Sequence, residues 1–169
     1  LFLTNKGEVE MESIMVESER VAFEQMNKSL VDVFNNVMWI EEVYLQGSEF
    51  QDISLKEMHI IAAISMYEFP NATEIARLVH LKPSAMTTAL DKLVKKGYVE
   101  RQRSETDRRE IKLGLTHRGR TVYRAHEAFH RDLTHSLTDS LSNDQTQVIG
   151  KAISQLEQHL QGLHATINE

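Results

Sequence analysis

The sequence predicts a mainly α fold with one small hairpin, and three observations carry that prediction. Long Pro-free amphipathic stretches occupy both ends of the 169-residue chain. Two short helical segments in the middle are joined by a three-residue turn. Directly after them the apolar period changes from 3.6 to 2, as it does when helix gives way to strand.

Taken in order, residues 1–17 have no clear period, many acids and Leu1 rather than Met at the start, and read as a leader, disordered or vector-derived. From Ser18 to Gly47, Val21, Met26, Leu30, Val33, Phe34, Val37, Ile40, Val43 and Tyr44 fall near a helical period. Ser54-Leu55-Lys56-Glu57 is a capping box opening a helix to about Tyr67, and Pro70 breaks the pattern. Asn71 or Thr73 caps a short helix, Ala72–Val79, with Ile75, Ala76 and Val79 on its inner face. The turn His80-Leu81-Lys82 leads to Pro83 at a first helical position, and that helix stops at Gly97. Tyr98–Arg103 and Glu110–Leu115 read as two strands around the polar turn 104–109. Thr116 caps a long helix over His117–Thr138, and Ser142-Asn143-Asp144-Gln145 is a second capping box, opening a last helix to about His164. The order is that of a winged helix-turn-helix over 52–116, with long dimerisation helices at 18–47 and 117–166 and a two-stranded β-wing.

Charge points the same way. The chain carries −6 overall, but residues 77–131 hold fourteen of the 19 Lys and Arg and only six of the 25 Asp and Glu, a local +8 against −14 elsewhere. A basic middle between acidic ends is the footprint of a polyanion partner. Double-stranded DNA fits it, and the small polar residues say how. On the second helix of the pair, Met86, Leu90, Leu93 and Val94 are spaced to face a core, while Ser84, Thr87, Thr88, Asp91, Lys92 and Lys95 lie opposite. Small hydroxyls let a helix enter a major groove closely, and lysines further along meet the phosphates. Thr73 and Lys82 flank the turn. Arg101, Arg103, Arg108 and Arg109 crowd around Asp107, a density costly in self-repulsion unless an anion is near. A wing tip there would set Arg108 or Arg109 into a minor groove, with Asp107 aiming one guanidinium.

Other classes fall away. With no Cys, disulfides, thiol chemistry and Cys-type zinc sites are excluded. No run of 18 apolar residues and no signal-peptide pattern occurs, so cytoplasm is expected and no membrane. No motif asks for a cofactor. His126-Glu127-Ala128-Phe129-His130 is a literal HExxH, the pattern in which two His hold zinc and the Glu acts as base. No glycine-rich motif follows and His135 is too close to be the usual third ligand, so an enzyme is not expected. A non-catalytic zinc sensor built on His126, His130 and His135 is the stronger metal reading, and scattered surface histidines are the bland one.

The blocks Leu90–Arg101, Asp107-Arg108-Arg109 and Leu115-Thr116-His117-Arg118-Gly119 together resemble the MarR family of regulators, over about residues 27 to 163. The resemblance implies a homodimer on a pseudopalindromic operator, with Asp107 and Arg109 as the wing-tip acid–arginine pair. Phe34-Asn35-Asn36-Val37, Ile40-Glu41-Glu42-Val43 and Asp52–His59 further resemble the subgroup that represses fatty-acid synthesis genes in Gram-positive bacteria. That subgroup takes long-chain acyl groups on acyl carrier protein as corepressor. The resemblance implies an acyl chain entering between the long helices and the winged domain. Phe34, Val37, Met38, Met58, Ile61 and Phe129 are the candidate lining, although plain core packing explains each as well. Arg118, Arg120, Arg124 and Arg131 would offer the acidic carrier a basic docking face.

Overall fold

The computed structural model describes the backbone of residues 6–103 and 111–167, and the side chains of 17–103 and 111–163. The elements are α1 (Lys6–Gln46), α2 (Leu55–Ile64), α3 (Ala72–Leu78), α4 (Pro83–Lys95), β1 (Val99–Arg103), β2 (Ile111–Leu115), α5 (His117–Thr138) and α6 (Asn143–Ile167). The mainly α class with a two-stranded antiparallel wing is therefore the observed one. The chain divides into two compact units, one up to Ile60 and one from Ile61 onward.

In the first unit α1 is the dominant element. It begins at Lys6, so much of the stretch read as a leader is helical. The reason is composition: after Gly7 that stretch is rich in Glu and Met, good helix formers, and the acids near its N-terminus suit the helix dipole. The helix ends at Gln46, and the Gly47 N–H reaches back to the Val43 carbonyl. Leu45, Ile53, Met58 and Ile60 are buried, and so is the carboxylate of Glu41, whose Oε2 lies 3.3 Å from His59 Nε2. The capping box before α2 forms as expected. The Ser54 N–H donates to Glu57 Oε2 and the Glu57 N–H donates to Ser54 Oγ. The helix stops at Ile64 instead of running to Tyr67, because Ser65 turns to a left-handed φ of 62°.

The second unit is built around Ile61, Ile64, Ile75, Ala76, Met86, Leu90, Leu93, Tyr98, Val99, Leu113, Leu115 and Val122, all buried. Asn71, not Thr73, caps α3. Its side chain accepts from the Thr73 and Glu74 N–H groups, and Glu74 returns a carboxylate to the Asn71 N–H. Strand β1 pairs antiparallel with β2 in the register Val99↔Leu115, Arg101↔Leu113 and Arg103↔Ile111. The Leu113 N–H also donates to the Pro70 carbonyl, which ties the segment before α3 to the hairpin.

Two glycines fix the corner where helix, hairpin and α5 meet. Gly97 has a φ of 76°, which side-chain-bearing residues rarely adopt. Gly119 lies so near the Tyr98 carbonyl that an added Cβ would stand 2.1 Å from that oxygen. Thr116 completes the corner: its hydroxyl donates to the Gly97 carbonyl at 2.6 Å and accepts from the Gly119 N–H at 3.2 Å. The second box also forms, with the Ser142 N–H on Gln145 Oε1 and the Gln145 N–H on Ser142 Oγ.

Candidate nucleic-acid interface

Helix α4 presents two chemically distinct faces. Met86, Leu90 and Leu93 are buried, and Ser84, Thr87, Thr88, Asp91, Lys92 and Lys95 are exposed. Pro83 occupies the first turn, and Lys82 at the N-cap supplies no side-chain hydrogen bond to it. The first-turn N–H groups thus carry the positive end of the helix dipole with no side-chain oxygen over them, an arrangement that favours phosphate. The hydroxyls of Thr87 and Thr88 donate back to the carbonyls of Pro83 and Ser84, each at 3.1 Å. That bond sets their rotamers and occupies their protons. What they offer a groove is therefore a methyl and an acceptor lone pair, suited to a thymine methyl or a base amino group.

Thr73 is exposed in the first turn of α3, and Lys82 is exposed at the α3–α4 turn. Arg103 is exposed at the end of β1. Thr73, Lys82, Ser84, Thr87, Thr88, Lys92 and Arg103 all belong to the second unit and all offer their side chains to solvent. Asp107, Arg108 and Arg109 lie outside the described residues.

Arg101 departs from the expected wing cluster. Its Nη2 donates to Asp91 Oδ1 at 2.6 Å, across from β1 to α4. Sequence reasoning missed this partner because ten residues and a change of element separate the two. The proposed basic docking face is also corrected in part. Arg118 Nη1 donates to the Lys96 carbonyl at 3.1 Å, and its guanidinium lies 4.3 Å from the centroid of the Tyr98 ring. Arg120 Nη1 donates to the Leu115 carbonyl at 3.0 Å. Both are bonded into the corner, and Arg118, a residue of the Leu115–Gly119 signature, has a structural role there. Arg131 lies 3.3 Å from Glu127, and Arg124 is exposed.

Of the candidate effector residues, Met58 and Ile61 on α2 are buried, Val37 on α1 and Phe129 on α5 are half-buried, and Phe34 and Met38 on α1 are exposed. In the HExxH segment, His126 and His130 on α5 bring their Nε2 atoms to 3.1 Å. Glu127, which would be the base of a hydrolase, is paired with Arg131. His135 Nδ1 is 3.2 Å from Asp139 Oδ1.

A short helix pair with an exposed polar face on its second helix, followed by a two-stranded hairpin, forms a winged helix-turn-helix, a fold that DNA-binding regulators use. Comparison with known proteins narrows the class. The MarR family model matches residues 53–111. FabT of Streptococcus pneumoniae, solved in complex with DNA, is 40% identical, with a TM-score of 0.74 over 83% of this chain and 99% of that one. The regulator YfiV of Bacillus subtilis (strain 168) is 30% identical over 111 residues, 65% of this chain and 69% of its own length. MepR of S. aureus, also solved with DNA, shares the fold alone: 16% identity and a TM-score of 0.61, over 78% of this chain and 93% of that one. The chain belongs to the MarR family. No helix among the described residues is long and apolar enough to cross a membrane.

Proposed function

We propose that this regulator acts in the cytoplasm as a homodimer that represses fatty-acid synthesis genes. Each winged unit takes one half of a pseudopalindromic operator. Helix α4 enters the major groove through Ser84, Thr87 and Thr88. Thr73, Lys82, Lys92 and Arg103 meet the duplex backbone, and the Asp107–Arg109 pair, with Arg108 beside it, carries the wing tip to the minor groove. The observation that carries the reading is the exposed hydroxyl-and-lysine face of α4, and the 40% likeness to FabT supports the subgroup. Large exposed side chains support the dimer. Phe23 and Trp39 on α1 and Val148 on α6 keep 64–67% of their surface in a single chain, more apolar exposure than a lone monomer ordinarily tolerates.

Long-chain acyl groups on acyl carrier protein are the proposed corepressor. Phe34, Val37, Met38, Met58, Ile61 and Phe129 are the residues proposed to meet the acyl chain, with domain boundaries at 18–47, 52–116 and 117–166. Fluorescence anisotropy on promoter DNA, with acylated and unacylated carrier, tests it. Tighter binding with the acylated form alone is expected, and no change with either would remove the acyl signal.

A second reading, a divalent metal as the signal, is favoured by His126 and His130. Two bonds of about 2.05 Å to a shared ion would subtend roughly a right angle across their 3.1 Å separation, an angle such ions accept. Metal analysis of untagged protein separates the readings: stoichiometric zinc that alters operator affinity would displace the acyl proposal.

A further inference from the structure

The corner between the recognition helix and the wing is held by a buried apolar cluster and, at its solvent edge, by an ion pair. Inside, it is apolar: Met86, Leu90 and Leu93 of α4 and Val99 of β1 are buried. The chain turns there through Lys96, Gly97 and Tyr98, with the Tyr98 N–H on the Leu93 carbonyl and Gly97 at φ 76°. Two residues beyond Val99 on the same face of β1, at the solvent edge of the corner, Arg101 reaches Asp91 of α4 at 2.6 Å, with side chains 41% and 60% exposed.

An ion pair this exposed adds little to folding, since water solvates both charges nearly as well apart as together. Its position is more informative than its stability. Asp91 is a carboxylate on the face of α4 that also carries Thr87, Thr88, Lys92 and Lys95. A lone negative charge there would repel phosphate, and Arg101 neutralises it. Arg101 lies two residues before Arg103 on the same side of β1, since side chains in a strand alternate. One arginine of the strand is therefore spent on the recognition helix, and the next is left to face outward.

We propose that Asp91 and Arg101 form a specificity-determining positioning pair. They set the angle between α4 and the hairpin so that the helix and the wing engage the same operator together. Random duplex needs no such agreement, because a sequence-independent grip on phosphate can be made by either part alone. Sequence-specific binding needs both parts in register. The proposal rests on α4 being the groove-reading helix. Sequence-selective binding by the unsubstituted protein tests that separately.

The experiment is a double-mutant cycle on the full chain, using an operator selected from a random duplex pool and a scrambled duplex of equal length. The readout is the ratio of the two affinities, because the charge change in each variant acts on both duplexes and cancels in that ratio. D91N and R101Q should each lower the ratio about tenfold, and the double variant should lower it no further, as for two halves of one contact. R101K, which keeps the charge but not the planar fork, should recover part of the loss. Circular dichroism melts of all four variants should stay close to the parent. An unchanged ratio in either single variant would overturn the proposal. So would a double variant whose loss is the product of the singles, since that would make the two residues independent. A drop of about 0.9 in the salt-dependence slope for R101Q would overturn it too, by showing that Arg101 grips phosphate itself.

Discussion

The helix-turn-helix with its hairpin and the long terminal helices satisfy their side chains in different ways. In the first region, buried residues from α3, α4, β1 and β2 serve one core, and the corner at Tyr98 is bound by Thr116, Gly119, Arg118 and Arg120. In the second, α1 and α6 carry Phe23, Met26, Trp39, Tyr44, Val148, Ile153 and Leu160 largely exposed. The first region is complete within one chain. The second has the composition of a core without the cover. The difference separates a core that one chain closes from a face that the proposed dimer would cover.

The largest expected effect breaks the first region. Gly119→Ala would drive a methyl into the Tyr98 carbonyl, an approach of 2.1 Å that nothing on backbone can relieve cheaply. A loss of about 3–5 kcal/mol is expected, seen as a large fall in thermal midpoint or failure to fold. Next comes the second region. Ile153→Glu on α6 should leave the winged unit folded but shift the mass in light scattering toward the 19.4 kDa of one chain, with loss of operator binding. An unchanged dimer mass would show that this face of α6 is not the interface. Arg109→Ala, at the residue proposed for the minor groove, should cost about 1–3 kcal/mol of operator affinity. Lys92→Ala is a milder change, weakening all duplexes alike and reducing the salt slope by about 0.9. Smallest is Glu127→Gln. Its pair with Arg131 is exposed on both sides, so stability should move by less than about 0.5 kcal/mol, and DNA binding not at all.

Much of the fold was legible because its signals are local. Each capping box is four residues long, Pro83 announces a helix start, and Gly97 announces its end; all four stand where the sequence puts them. The groove face of α4 follows from a single period. Errors came where distance along the chain or context decided. Thr73 and Asn71 are equally good caps on paper, and only the backbone turn at Asn71 chooses between them. The end of α2 depends on a left-handed Ser65, a conformation that a serine does not advertise. The early start of α1 was hidden by an acidic stretch without period. Arg101, Arg118 and Arg120 looked like ligand-binding cations because the sequence shows their charge but not Asp91, the Tyr98 ring or the Leu115 carbonyl. The burial of Glu41 is not legible because its neighbour His59 lies eighteen residues on and on another helix.

Acidic overall, the chain is expected to bind DNA specifically through the part of its winged helix-turn-helix that falls in the basic segment 77–131. Salt-dependent anisotropy on promoter and scrambled duplexes, at matched protein concentration, tests that most directly. Tight promoter binding is expected, weakening steeply as salt rises and keeping a clear margin over the scrambled duplex at every salt concentration. Equal, weak binding to both duplexes, present only at low salt, would contradict it.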